Sequence, residues 1–296
     1  MQSISIIIVN WNTCDYLDRC LESLQQYSRS SDFEIIVVDN ASQDGSIAML
    51  QERYPNVRIV ESTKNLGFAA GNNLAIRESH AEWIFLLNPD TVLNQDVLNK
   101  LTSFFVSNPD AGAVSPKLIN PDGTLQVSSW PFPTLFREFW RLFHLDLLYP
   151  ISQYPRKIWE QQTPQAVGYV QGTAILLRRE VFDQVGLFDE DYFMYTEEVD
   201  LCRRIKQAGW EIFWYPRAEV IHFGGTSTRQ AAPQMFLELY RSKILYFRKH
   251  HGNFQALLYK GILFLAAIPR LVAGLFNRDS SLRKNYLSLI RNLQDY

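Results

Sequence analysis

The stretch EWIFLLNPDTVL, residues 82–93, drives a mostly apolar run straight into Asn88, Pro89 and Asp90. Taken alone it is a strand followed by a polar turn, because Asn-Pro-Asp is ordinary turn chemistry. It decides the fold because the same arrangement occurs twice upstream. ISIIIVN (4–10) is a buried strand ending in Asn10, with Asn12 just beyond, and FEIIVVDN (33–40) is a second strand whose end carries Asp39. VRIVE (57–61) makes a third strand and WIFLLN (83–88) a fourth. Helical patterns separate them. CDYLDRCLESLQQY sets Leu17, Cys20, Leu21 and Leu24 at i, i+3, i+4 and i+7, SIAMLQERY is short and stopped by Pro55, and FAAGNNLAIRESH follows the third strand. Alternation at this spacing predicts a parallel α/β sheet. Ligands of such sheets bind beyond the carboxyl ends of the strands. Polar groups at three of those ends therefore predict a crevice.

Two nucleotide-binding classes are excluded. The turn after the first strand, VNWNTCDY, has no glycine, so the dinucleotide fingerprint is absent, and no GxxxxGK[ST] occurs anywhere. The chain has 296 residues, 47% of them hydrophobic and 14% aromatic, enough to bury a large core in one or two domains. Cys14, Cys20 and Cys202 form no CxxC pair, which predicts buried thiols in a reducing compartment. The start, MQSISIIIVNWN, reads as a strand and not as a signal peptide, so the expected location is cytoplasmic. The net charge of −2 hides an asymmetry. Residues 241–296 hold ten Lys/Arg against two acids, a charge of +8, whereas the first 240 residues carry −10. A basic tail on an acidic body points to an anionic partner, either membrane lipid or nucleic acid.

The segment 128–165 is rich in aromatics and proline with weak periodicity, and is either a packed insertion or a substrate-facing flap. Further on, a strand (170–177) leads to a short helix, an aromatic-acidic loop and then Glu197, Glu198 and Asp200 at the start of a helix. Acids suit a first helical turn, but three exceed what capping needs. Behind the aromatic DYFMYT, a carboxylate can be pushed up in pKa and act as a base. Asp200 and Arg204, at i and i+4, can equally pair with one another.

Taken in order, the segments IIIVNWN, EIIVVDNASQDGS, NLGFAAGNN, LLNPDT, GTAILLRRE, VGLFDE, YFMYTEEVDLC, AGW and HFGGTS resemble family 2 inverting glycosyltransferases, and most of all the bacterial rhamnosyltransferases of surface polysaccharide synthesis. The resemblance covers about residues 3–250. It implies an α/β fold of the GT-A (nucleotide-diphospho-sugar transferase) type, a Rossmann-like, mostly parallel sheet flanked by helices with a helical C-terminal extension. It also implies a catalytic domain over 1–230, with a nucleotide-sugar-binding half (1–125) and an acceptor-binding half (126–230), followed by the helical basic region 231–296. Asp39 matches the acid that hydrogen-bonds the donor's pyrimidine, and Asp90 the last acid of the motif that holds a divalent cation, Mg²⁺ or Mn²⁺. Glu198 matches the catalytic base, and His222 a histidine of the metal or diphosphate site. Donor-binding expectations extend to Val9, Asn10, Asn12, Asn65, Gly67, Asn72 and Asn88, with Glu197, Asp200 and Arg204 supporting the acceptor side. The sequence departs from the family with Asn at 88 and Glu at 198 where aspartates are usual, and with Gly71 where many members have an arginine.

The implied partners are a nucleoside-diphosphate sugar, a saccharide or lipid-linked acceptor and an anionic membrane surface, with no nucleic acid and with a homodimer left open. Three functional readings follow: transfer of rhamnose from dTDP-rhamnose, transfer from a UDP-hexose, or a non-catalytic nucleotide-sugar or membrane-binding scaffold. In the tail, PQMFLELYRSKILYFRKHHG (233–252) predicts an amphipathic helix. GILFLAAIPRLVAGLF (261–276) gives sixteen residues, apolar except for Pro269 and Arg270, short of a membrane span. It is either a core helix or an interfacial anchor backed by Lys260, Arg278, Arg283 and Lys284, peripheral on the inner membrane face.

Overall fold

Ile6, Ile7 and Ile8 set how the first strand sits. All three are fully buried, Ile6 and Ile8 in one apolar layer and Ile7 in the opposite one. Burial on both faces is what a central parallel strand requires. The computed structural model, which describes residues 4–28, 32–276 and 281–296, builds the rest of the sheet around that strand.

Parallel pairing joins β1 (Ile4–Asn10), β2 (Phe33–Asp39), β3 (Arg58–Glu61) and β4 (Trp83–Leu87) in the order β3-β2-β1-β4. Helices α1 (Cys14–Tyr27), α2 (Ser46–Arg53) and α3 (Gly67–Glu78) make the crossovers. Leu17, Cys20, Leu21 and Leu24 of α1 are buried, as their spacing predicts. The chain order reverses between β1 and β4, where a parallel sheet opens a crevice at its carboxyl edge.

Most paired residues of the whole sheet are parallel, but beyond β4 it is mixed, and there only the sixth and twelfth strands run parallel to each other. A short β5 (Thr91–Leu93) precedes α4 (Val97–Ser107) and the nine-residue β6 (Ala111–Ile119), which receives the two-residue β7 (Leu125–Gln126). The strand expected over 170–177 is broken. Its first part, β10 (Tyr169–Val170), pairs with β8 (Ser129–Trp130) in a separate ribbon. Its second part, β11 (Ala174–Arg178), enters the main sheet antiparallel between β4 and β6. Residues 171–173 bridge the two. The twelve-residue β12 (Glu211–His222) runs parallel to β6, takes the short β9 (Gln165–Ala166) on one edge, and delivers His222 opposite Thr91.

Helix α5 (Leu135–Leu142), within the aromatic segment, is fixed by charge as well as by apolar contact. Its buried Glu138 accepts hydrogen bonds from Arg141, from Lys243 at 2.9 Å and from Tyr259 at 3.1 Å. Burial opposes that charge, but Lys243 and Arg141 outweigh it and hold the carboxyl at about 2. After β11 come α6 (Arg179–Val185) and α7 (Glu197–Gln207). The chain closes with α8 (Ala232–His251), α9 (Asn253–Phe276) and α10 (Ser281–Asn292), which share an apolar cluster with Leu142.

One tail expectation needs correction. The sixteen-residue apolar run is part of a 24-residue helix that passes through Pro269. A proline inside a helix leaves preceding carbonyls without their usual donors. The carbonyl so left by Pro269 is that of Leu265, and the Arg270 guanidinium donates to the next one, Ala266 O, at 2.7 Å. Over Asn253–Gly274 the mean hydropathy is 1.7, which by length and composition alone suffices to cross a membrane, yet only 28% of the helix window is buried. It is therefore neither too short nor an ordinary core helix. Arg278 lies outside the described residues.

Candidate active site

A cleft of about 220 Å³ opens at the carboxyl edge of the sheet beside β1 and β4. Eight of the residues expected from sequence line it: Val9, Asn65, Gly67, Asn88, Asp90, Glu197, Glu198 and His222. A second cleft of about 270 Å³ adjoins it and shares Trp11, Asn65, Met194 and Ser227.

One wall holds Asp90 and His222, both buried. Pro89 and the end of β4 carry Asp90 out of the sheet, and β12 brings His222 alongside. Asp90 Oδ1 lies 3.2 Å from His222 Nε2, while Asp90 Oδ2 accepts from Thr226 Oγ1 at 2.9 Å. Burial opposes charge on Asp90, but the hydrogen bonds from His222 and Thr226 outweigh it and lower its pKa. His222 Nδ1 lies 2.6 Å from Gln126 Oε1, and the Gln126 amide is itself oriented by donating to Asn120 Oδ1 at 3.0 Å. A carboxamide oxygen only accepts, so Nδ1 carries the proton. The other ring nitrogen, Nε2, faces a carboxylate oxygen, to which it can donate only when protonated. A cation entering between the two would replace that proton.

The opposite wall is the start of α7. Tyr195 and Thr196 take left-handed backbone angles, φ 66° and 70°, which non-glycine residues adopt at a cost. The turn they make aims Glu197 and Glu198 into the cleft. Glu197 Oε2 and Glu198 Oε2 are buried without a hydrogen-bond partner. Burial pushes Glu198 up to about 7 against opposing backbone hydrogen bonds at the helix start. Burial and then the neighbouring Glu198 push Glu197 well above the usual carboxylate range. Two adjacent carboxyls in one low-dielectric wall do not both ionise readily. The pair therefore carries at most one charge near neutral pH, and Glu198 is the first of the two to ionise.

The other expected residues stand behind the cleft. Asp39 is buried and has both oxygens engaged, one accepting from Asn10 Nδ2 at the end of β1 at 3.0 Å and the other from Ser42 N of its own loop at 2.8 Å. Asn10 Oδ1 accepts from Thr13, Asn12 Oδ1 from Gln43 N, and the Asn72 amide donates to Phe68 O. These four shape the walls and none lines the cleft. Asp200, fully buried, is an anchor for α7: Arg204 Nε lies at 2.9 Å, Lys249 Nζ at 2.8 Å and His250 Nε2 at 2.7 Å. Burial disfavours its charge, yet His250 and Lys249 hold it at about 2. Arg204 also donates to Val185 O and Leu187 O. Gly71 is not a vacant arginine position. A Cβ there would come within 2.8 Å of Val9 Cγ1, so α3 packs too closely on β1 for any side chain.

Sequence reasoning missed Trp11, Asn40, Phe68, Gln171, Thr173, Tyr195 and Thr226, all on the cleft surface. Gln171 to Thr173 were hidden inside an expected strand. Trp11 stands between two residues that were singled out, so its signal was present. Among the described residues no three His, Cys, Asp or Glu side chains gather closely enough to hold a metal by themselves. A hard cation is, however, often held by one or two protein ligands plus substrate phosphate oxygens and water. Asp90 and His222 Nε2, once its proton is displaced, fit that pattern.

The sequence profile of glycosyl transferase family 2 matches residues 5–186. The chain is 29% identical over 269 residues to an N-acetylglucosaminyl-diphospho-decaprenol L-rhamnosyltransferase of Mycobacterium tuberculosis, covering 84% of this chain and 85% of that protein. It is 28% identical over 245 residues to the rhamnosyltransferase WbbL of Escherichia coli, covering 79% and 88%. Among solved structures, GalNAc-T7 with UDP, GalNAc and Mn²⁺ superposes with a TM-score of 0.64 at 15% identity, covering all of this chain and 56% of that one.

Proposed function

The chain belongs to glycosyl transferase family 2, and from that premise we propose that it is a metal-assisted inverting glycosyltransferase. Its first-choice donor is dTDP-rhamnose, and its acceptor a saccharide or lipid-linked saccharide of surface polysaccharide synthesis. The observation that carries the reading is the pairing of two unlike walls in one cleft: Asp90 with His222 on one side, and Glu198 with an unpartnered oxygen on the other.

Each wall has one task. Asp90 and His222 Nε2 would hold Mg²⁺ or Mn²⁺, which when bound neutralises the leaving diphosphate as a Lewis acid. Glu198, ionised, takes the proton of the acceptor hydroxyl. The acceptor oxygen forms the new bond to the anomeric carbon as the bond to the diphosphate oxygen breaks, and the diphosphate leaves with the electron pair. Attack from the face opposite the leaving group inverts the anomeric centre, through a transition state of oxocarbenium character. Glu197, kept protonated by burial, adds no second charge to repel the diphosphate. The rhamnosyltransferase relatives support rhamnose, while UDP in the structural neighbour keeps a UDP-hexose as the competing donor.

The test is nucleotide release from a panel of dTDP- and UDP-sugars with Mg²⁺, Mn²⁺ or EDTA. Release is expected with dTDP-rhamnose, greatest with acceptor present and abolished by EDTA. Asp90→Asn should remove the metal stimulation of donor binding, since the adjacent Asn88 supplies no charge to replace it. Full turnover in EDTA would overturn the metal assignment. Absence of release from every donor would leave the scaffold reading.

A further inference from the structure

The exposed face of α9 has no partner among the described residues. Phe254, Leu257, Leu258, Phe264, Leu265 and Ile268 are all exposed, and they recur at the three- and four-residue spacing of one helical face. With Val272 the stripe runs for about 27 Å at 1.5 Å per residue. The opposite face is committed: Tyr259, Leu263 and Ala267 pack with Ile244 and Phe247 of α8 and Leu289 of α10. The one charge that would interrupt the apolar run at its C-terminal end is turned inward. Arg270 donates to Leu142 O at 2.5 Å and contacts His144 Nε2 at 3.0 Å. Those contacts also bring alongside the loop after α5, whose Leu147 and Leu148 are 89% and 81% exposed.

We infer that this stripe, with the Leu147–Leu148 loop, is a docking face for an anionic lipid bilayer, with α9 lying in the plane of the surface. Charge selects the occupant. Helix α9 contains no Asp or Glu, and residues 241–296 carry +8. Arg283 and Lys284 of α10 are exposed, and Arg283 packs beside Gly274 at the C-terminal end of α9, while Arg248 is exposed at the end of α8. Cations at both ends of an apolar stripe match a surface of acyl chains beneath anionic headgroups. A second copy would set the same +8 region against itself. A spanning arrangement would tear Tyr259, Leu263 and Ala267 out of the cluster they share with α8 and α10. Membrane contact is independent of the glycosyltransferase reading, although a lipid-linked acceptor would give it a use.

Co-sedimentation of the full chain, without donor or acceptor, tests the face on vesicles of phosphatidylcholine with and without phosphatidylglycerol. Binding is expected on the anionic vesicles and should weaken as salt rises. Phe264→Glu with Leu265→Glu should weaken it about tenfold or more, because two exposed apolar side chains no longer enter the acyl boundary. Leu148→Glu provides a second variant away from the helix. Arg283→Gln with Lys284→Gln should shrink the preference for anionic lipid. If neither vesicle binds, the inference falls. If the protein is a dimer that Phe264→Glu converts to monomer while vesicles are ignored, the face is a subunit interface. Resistance to alkaline carbonate extraction would overturn the in-plane arrangement in favour of a span.

Discussion

Glu198 meets the cleft with one oxygen unpartnered, and its burial ties its charge to pH within the physiological range. If it removes the acceptor proton, turnover should climb through about pH 7 and level off above it. A pH–rate profile whose acid limb falls near 4.5, the ordinary glutamate value, would assign the step to another carboxylate. Stability should move the other way. The folded pKa is raised, so between about 4.5 and 7 the unfolded chain binds fewer protons than the folded one, and stability falls as pH rises. Glu198→Gln should therefore raise the melting temperature at about pH 8 and leave it unchanged at about pH 4. Legibility at this scale divides by what each side chain does locally. Asp90, His222 and Glu198 could be picked out because their motif neighbours are distinctive. Asp39, Asn10, Asn12 and Asn72 carry equally polar groups at equally suggestive places, yet each is spent on protein hydrogen bonds behind the cleft. Sequence marks a polar residue at a strand end, but not which way its side chain faces.

Among the elements, α7 depends on two fastenings at its N-terminal end. The left-handed turn at Tyr195 and Thr196 aims its start, and Asp200 ties its first turn to α8 through Lys249 and His250. The pairing of Asp200 with Arg204 was readable from their spacing. The partners from α8 were not, because they lie 49 and 50 residues away in sequence. Breaking a buried ion pair by removing one partner costs roughly 3–5 kcal/mol, so Asp200→Asn should lower thermal stability sharply. In protein that remains folded it should cost far less turnover than Glu198→Gln. Thermal melts paired with rates below the melting range would check both halves. A folded but inactive Asp200→Asn beside an active Glu198→Gln would show that the base has been assigned to the wrong carboxylate. The break between β10 and β11 escaped detection because VQGTAILL reads as one apolar run, and only tertiary pairing with β8 diverts its first residues.

Across the whole molecule, the repeat of strand, helix and polar strand end made the first half predictable, because local periodicity coincides with tertiary contacts there. The second half joins segments that are distant in sequence. Glu138 of the aromatic insertion is held by Lys243 of α8, and β12 places His222 beside Asp90, 132 residues earlier, by pairing with β5. Sequence patterns do not record such pairings. Helix α9 shows the same limit, since it continues through Pro269 and its Arg270 reaches Leu142 of α5, 128 residues away in sequence. The central claim is that all these parts converge on one cleft in which Glu198 removes a proton from the acceptor. The most direct test compares donor affinity and turnover in wild type and Glu198→Gln under the same metal and donor. Donor affinity should be nearly unchanged while turnover falls roughly 10²- to 10⁴-fold, as for loss of a general base. Turnover near wild type in Glu198→Gln would contradict the account.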